Sequence, residues 1–202
     1  LKEIGFVCEK KGDYENAFKY FNEILEIRKK IYADNPYNPE IIESLKEIGF
    51  VFKRKGDYDN AFKYFNEIID IGKNIYADNP YYPEIIESLK EIGFICEKGG
   101  DYENALKYFN EIVEIGKKID ADNLNHPEII ESLKEIGFVF KRKGDYENAL
   151  KYFNEIIDIG KNIYADNPYN PEIIQSLKEI GFIYEKKGDY ENAFKYFNEI
   201  LE

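Results

Sequence analysis

Three sets of side chains in this sequence carry groups able to do chemistry: one histidine, two cysteines, and a recurring run of Asp, Asn and Glu. His126 stands directly before Pro127, where Asn38, Tyr82 and Asn170 stand at equivalent points, so it reads as a capping or surface residue. A Ser/His/Asp or Cys/His relay needs an imidazole within reach of a nucleophile, and one loop histidine assembles none. The glycines recur at structural positions and make no phosphate-binding loop. The segment YADNPYNPE offers Asp34, Asn35 and Glu40, with Asp78, Asn79 and Glu84 as counterparts. Such oxygens can hold calcium, but the ligand set is thin, and the same residues ordinarily end one helix and begin the next. The expectation is a protein that is not an enzyme, with no catalytic residue, metal or cofactor.

Cys8 and Cys96 occupy one slot two repeats apart, which Phe52, Phe140 and Tyr184 fill elsewhere. Each intervening helix layer adds about 8–10 Å, beyond the roughly 7 Å Cα separation a disulfide tolerates. They read as core side chains, and their reduced state fits a cytoplasmic location. Lys and Arg number 28 against 40 Asp and Glu, a net charge of −12. That charge repels polyphosphate and anionic lipid, which argues against nucleic-acid and membrane partners. No run approaches the roughly 18 apolar residues of a membrane span.

What must position any surface is a repeat. LKEIGF recurs at Leu1, Leu45, Leu89, Leu133 and Leu177, a period of 44 residues held throughout. A constant period of that length means one supersecondary unit copied and stacked. The expected domain is a single solenoid over residues 1–202. It begins and stops inside a repeat and lacks Met, as expected of a fragment of a longer array.

Within one unit, Pro83 suits a first helical turn because it supplies helical φ and lacks an N–H that would be unpaired there. Ile85, Leu89, Ile92 and Cys96 follow at helical spacing, with Ile86 and Gly93 on an adjacent face, predicting a first helix over about 83–98. Gly99-Gly100 breaks it, and Asp101 is a good N-cap for a second helix, with Glu103 in its first turn. Tyr102, Ala105, Phe109, Ile112 and Ile119 carry that helix to about Ala121, and the loop Asp122-Asn123-Leu124-Asn125 leads to the next Pro. Such a hairpin exposes apolar residues on both sides, so stacking is obligatory. Gly49, Gly93, Gly137 and Gly181 sit mid-helix at a cost of about 0.5–1 kcal/mol relative to Ala, which close approach of the two helices would offset.

The repeats at Leu45 and Leu133 differ only at Asp59/Glu147, Phe62/Leu150, Tyr82/Asn170 and Glu87/Gln175. Those at Leu1 and Leu89 carry Cys8-Glu9-Lys10 and Cys96-Glu97-Lys98 where the others have Phe52-Lys53-Arg54 and Phe140-Lys141-Arg142. The larger repeat therefore reads as a pair of 44-residue units.

In SLKEIGFVFKRKGDYDNAFKYFNEI, Leu45, Ile48, Gly49, Phe52, Gly56, Tyr58, Ala61 and Phe65 match a known packing pattern, and the chain resembles the tetratricopeptide repeats. The usual unit there has about 34 residues. The longer unit is similar to kinesin-light-chain-type and bacterial members, with the extra residues between Gly72 and Ile86. It departs at Leu45, where the family often has Trp, at Ile68, where a small residue is usual, and at Lys46 and Glu47, which replace the Asn residues of kinesin light chains. The resemblance implies an all-α, right-handed superhelical solenoid of stacked antiparallel helix pairs, working as a protein-interaction scaffold.

It also implies that the first helices line a concave face. Ligand-facing positions then fall on Lys46, Phe50, Lys53 and Arg54; Lys90, Phe94 and Lys98; Lys134, Phe138, Lys141 and Arg142; and Lys178 and Phe182. The same positions are Lys2, Phe6, Glu9 and Lys10 in the first repeat, with Glu97, Glu185 and Lys186 completing the later sets. Lys meets acidic groups and Phe gives apolar contact, so the expected partner is a protein or an extended acidic-hydrophobic peptide. Phe occupies the slot of the Asn in the family's carboxylate clamp, which disfavours C-terminal chaperone tails. Against this stands a plainer role, in which Phe50 and its equivalents pack on neighbouring helices and the lysines form a solvated edge. Tyr64, with Tyr32, Tyr37 and Tyr76 near the loops, offers a second aromatic surface, although burial between repeats explains most of these tyrosines more cheaply. Two other classes remain open: end-to-end self-association through uncapped repeat ends, and a regulatory module of a larger protein.

Overall fold

The turn Gly-Asp-Tyr-Glu-Asn, with Asp59 in place of Glu in the second repeat, sets the fold. Gly56 adopts φ 83°, which only a residue without Cβ takes cheaply, and its N–H donates to the Lys53 carbonyl while that of Asp57 donates to Phe52. Asp57 then caps the next helix, its carboxylate accepting from the backbone N–H of Asn60 at 3.2 Å and the side-chain amide of Asn60 at 2.8 Å. The same pair of bonds recurs at Asp13, Asp101, Asp145 and Asp189. The chain reverses there and a second helix runs back along the first.

The computed structural model describes residues 1–35, 37–75, 82–119, 127–163 and 170–201. It divides into two units, Leu1–Gly99 and Gly100–Glu202. The first holds α1 (Lys2–Lys10), α2 (Tyr14–Ile31), α3 (Pro39–Lys55), α4 (Tyr58–Ile75) and α5 (Pro83–Lys98). The second holds α6 (Tyr102–Ile119), α7 (Pro127–Lys143), α8 (Tyr146–Ile163), α9 (Pro171–Lys186) and α10 (Tyr190–Glu199). Within each unit every helix packs on the next in sequence. All regular structure among the described residues is helical. The bounds of α5 coincide with the expected first helix, whereas α6 is described only to Ile119.

Burial follows the expected stripes. On α5, Ile85, Leu89 and Ile92 are buried, as are Ala105, Phe109 and Ile112 on α6. Each such Leu, Ile or Phe contributes about 1.5–3 kcal/mol relative to exposure. Cys8 and Cys96 form no disulfide and are only half-buried, so the first of these thiols lines the edge of the core and does not sit within it.

Two glycine contacts draw the helices together. A Cβ built on Gly49 would stand 2.9 Å from the Phe65 ring, and one on Gly137 would stand 2.9 Å from Phe153, so the first helix of a hairpin lies directly against the second. Between hairpins the contact is closer still: a Cβ on Gly72, Gly116 or Gly160 would fall 2.4–2.6 Å from Ile85, Ile129 or Ile173. Arg28 fills this slot between α2 and α3. Its guanidinium pairs with Glu40 and Glu43 and donates to the Ser44 hydroxyl at 2.8 Å and the Glu40 carbonyl at 2.7 Å. Where glycine stands, the buried Ser88 and Ser176 hydroxyls have no hydrogen-bond partner.

Candidate interaction surface

The expected surface residues lie at consecutive turns of α3, α5, α7 and α9, where spacings of three and four residues put them on one face. Lys46, Phe50 and Lys53 are half-buried and Arg54 is exposed; Lys134, Phe138 and Lys141 are half-buried and Arg142 exposed. Lys90 and Phe94 are half-buried, and Lys98, Lys178 and Phe182 are exposed.

The phenylalanines have a structural task. Phe50 meets Phe65 edge-on at 5.5 Å between ring centres, and Phe138–Phe153 and Phe182–Phe197 repeat the arrangement. Each therefore holds its own hairpin closed with one edge while the other reaches the surface.

The lysines are engaged too. Lys2 pairs with Glu43 at 2.7 Å and Lys46 with Glu87 at 3.0 Å, each 41 residues ahead. At the equivalent place Gln175 replaces Glu, and Lys134 turns instead to Glu172 at 3.3 Å. Lys53 pairs with Glu91, and Lys141 with Glu179 at 2.5 Å. Arg54 reaches back to Glu9. Lys2 holds the Glu43 carboxyl below the ordinary range, while burial, then the neighbouring Glu9 and Glu43, pushes Glu47 above it. Within each unit the first helices thus carry alternating charge laid over aromatic edges, with Lys53 over Phe94 at 5.7 Å in the first unit and Lys141 over Phe182 at 5.6 Å in the second.

In the second unit this face opens into a depression of about 550 Å³ lined by Lys141, Phe182, Glu185, Lys186 and Tyr190. Four of the five come from the expected positions; Tyr190 is supplied by the capping turn of α10. In the first unit a smaller depression, about 300 Å³, is lined by Pro39, Glu40, Glu43, Lys46 and Glu84. A third, about 270 Å³, lies by Tyr32, Tyr37, Ile41 and Ile71 and includes two of the loop tyrosines. Tyr64 stacks on Phe52 at 5.6 Å, and burial raises its phenol above the usual range. His126, Tyr76, Asp78 and Asn79 lie outside the described residues. Among the described residues no group of three or more His, Cys, Asp or Glu could hold a metal ion, and no helix is long and apolar enough to cross a membrane.

Antiparallel helix pairs copied at a fixed period, locked by glycine contacts within and between pairs, define a helical-repeat protein. The chain belongs to the tetratricopeptide repeat family, whose sequence profile matches residues 1–74, 40–118, 84–162 and 128–202. Repeats of this family generally mediate protein–protein contacts. In fold the chain is similar to the TPR-like repeats of a protein described as a kinesin light chain from Podosopora anserina, at 16% identity and TM-score 0.74, covering 99% of this chain and 91% of that one. It is similar to BtubC from P. vanneervenii at 15% identity and TM-score 0.73, covering 98% and 75%. MamA from Desulfovibrio magneticus RS-1 follows at 17% identity and TM-score 0.59, covering 99% and 90%. A comparison with curated proteins finds no significant match.

Proposed function

We propose that this chain is a protein-interaction scaffold that holds an acidic-hydrophobic peptide segment along the face of its first helices. The observation that supports this reading is the depression of about 550 Å³ where the exposed Lys186, with Glu185 next to it and Lys141 held by Glu179, stands beside two aromatic rings, Phe182 and Tyr190. A carboxylate on the ligand meets the Lys186 ammonium group, and an apolar side chain next to it lies on the rings. The reading requires no bond-making chemistry. Phe50, Phe94 and Phe138 hold the equivalent place in the other repeats, and Lys46, Arg54, Lys90, Lys98, Lys134, Arg142 and Lys178 are cations at the equivalent positions of the first helices.

Charge reversal at Lys46 or Lys134 is a poor test, because it sets a second carboxylate beside Glu87 or Glu172 and disturbs folding along with binding. Lys186 and Tyr190 are exposed and serve better. Fluorescence anisotropy with a labelled peptide of alternating Asp and Leu residues should show saturable binding to the native chain. K186E and Y190A should each weaken it about 5–50-fold, the range of one or two lost charged or aromatic contacts. Equal binding by both variants, or a preference for a Lys–Leu peptide, would contradict the assignment. Growth of scattering with concentration in the same samples would favour end-to-end self-association instead.

A further inference from the structure

The sign of charge alternates at one position on the first helix of every repeat: Glu9, Lys53, Glu97, Lys141, Glu185. The charges around it keep their sign. The residue 38 positions ahead of Lys53 and Lys141 is Glu91 and Glu179, and that slot is also Glu3, Glu47 and Glu135, an acid in all five repeats. The residue following the alternating one is always a cation: Lys10, Arg54, Lys98, Arg142, Lys186.

These constants make two different joints. A Lys-bearing repeat grips forward, Lys53 to Glu91 and Lys141 to Glu179, each lysine also covering the phenylalanine of the repeat it grips. The same repeat grips backward through arginine, Arg54 to Glu9, with the guanidinium 5.8 Å from the Phe50 ring. Both acids so held are nearly closed to water: the Glu9 side chain is 8% exposed and the Glu91 side chain 11%. A carboxylate in that state needs its cation, since removing one partner leaves an uncompensated charge. At the joint where Lys53 precedes, the following repeat's cation, Lys98, lies over the Tyr58 ring at 5.4 Å.

We propose that the alternating residue is the specificity determinant of stacking: a Lys-bearing repeat accepts a Glu-bearing repeat on each side, and two repeats of the same kind make a poor joint. Two Glu-bearing neighbours set the alternating Glu against the fixed Glu 38 residues on, as Glu9 is set against Glu47, but without a Lys-Arg pair in the following repeat to hold it. Two Lys-bearing neighbours set lysine against the arginine that should hold an acid. Because the fixed acid and the fixed cation occur in every repeat, the pattern works in either phase so long as it alternates.

That last property supplies the test, made on the full chain by thermal unfolding followed by circular dichroism. E9K creates two adjacent Lys-bearing repeats and K53E three adjacent Glu-bearing ones; each should lower the midpoint by about 3–8 °C. E9Q, which deletes the charge without adding repulsion, should fall between E9K and the native chain. A chain with the phase inverted, Glu-Lys exchanged for Lys-Arg at 9–10, 97–98 and 185–186 and Lys-Arg for Glu-Lys at 53–54 and 141–142, should melt above both E9K and K53E. Single variants that melt with the native chain, or a phase-inverted chain that melts at or below either of them, would overturn the proposal.

Discussion

Asp57 and its four counterparts are single side chains on which each hairpin turn depends. The side-chain amide of Asn60, then its backbone N–H, holds the Asp57 carboxyl below its ordinary value of 3.8. A group with a depressed folded pKa contributes stability that is present above its unfolded value and lost as pH falls through the folded one. Glu43, held down by Lys2, acts in the same direction. Glu47, pushed up by burial, acts in the opposite one, since its cost is relieved as acid protonates it. The other caps and Glu47 are common to both chains, so D57A should lower the denaturant midpoint at about pH 7, and its gap from the native chain should narrow as acid protonates Asp57 near pH 2. A gap of constant size at both pH values would refute the cap's role. The capping Asp is legible in the sequence because Gly-Asp before an apolar period is a local signal. The partners of Lys46 and Lys53 are not, because Glu87 and Glu91 lie 41 and 38 residues away and only stacking brings them close. Read from residue types alone, the lysines look available to a ligand; in the fold, Lys46, Lys53, Lys134 and Lys141 already hold acids of their own.

At the scale of helices, the starts at Pro39, Pro83, Pro127 and Pro171 follow from local chemistry, as does the close approach at Gly49. The second glycine series is different. Gly72 marks only where the long unit exceeds the usual one, and nothing near it in sequence reveals that the Ile85 side chain will press on its backbone. That contact spans a loop and belongs to the joint between hairpins. It has a direct consequence: Gly to Ala inside a helix ordinarily gains about 0.5–1 kcal/mol, yet a methyl group on Gly116 would meet Ile129 Cδ1 and Cγ1 at 2.4 Å. G116A should therefore destabilise the chain by about 1–3 kcal/mol in urea unfolding, the usual cost of overpacking. In the I129A background, where both clashing atoms are gone, the same change should be neutral or stabilising. Additive losses would show that helix geometry and not this contact sets the requirement for glycine. Arg28 shows the alternative solution, a joint built from ion pairs and a hydrogen bond to Ser44 in place of a glycine contact.

For the molecule as a whole, the 44-residue period makes the architecture readable without coordinates, because a hairpin with two apolar sides has no stable choice except to stack. The two-repeat alternation is visible in the sequence as Cys-Glu-Lys against Phe-Lys-Arg, but its meaning is not, since it lies in which neighbour each charge reaches. The same is true of the surface. The resemblance marks Lys141, Phe182 and Lys186 as outward-facing, and the fold adds Tyr190 from the following helix to close the depression. The proposed function places the partner on that face. An amide-resolved NMR titration of the labelled chain with the alternating Asp–Leu peptide tests it most directly. Perturbations should gather at Lys141, Phe182, Glu185, Lys186 and Tyr190 and vanish in K186E. Perturbations confined to the second helices, around Tyr152 and Tyr196, or spread evenly over the chain, would contradict it.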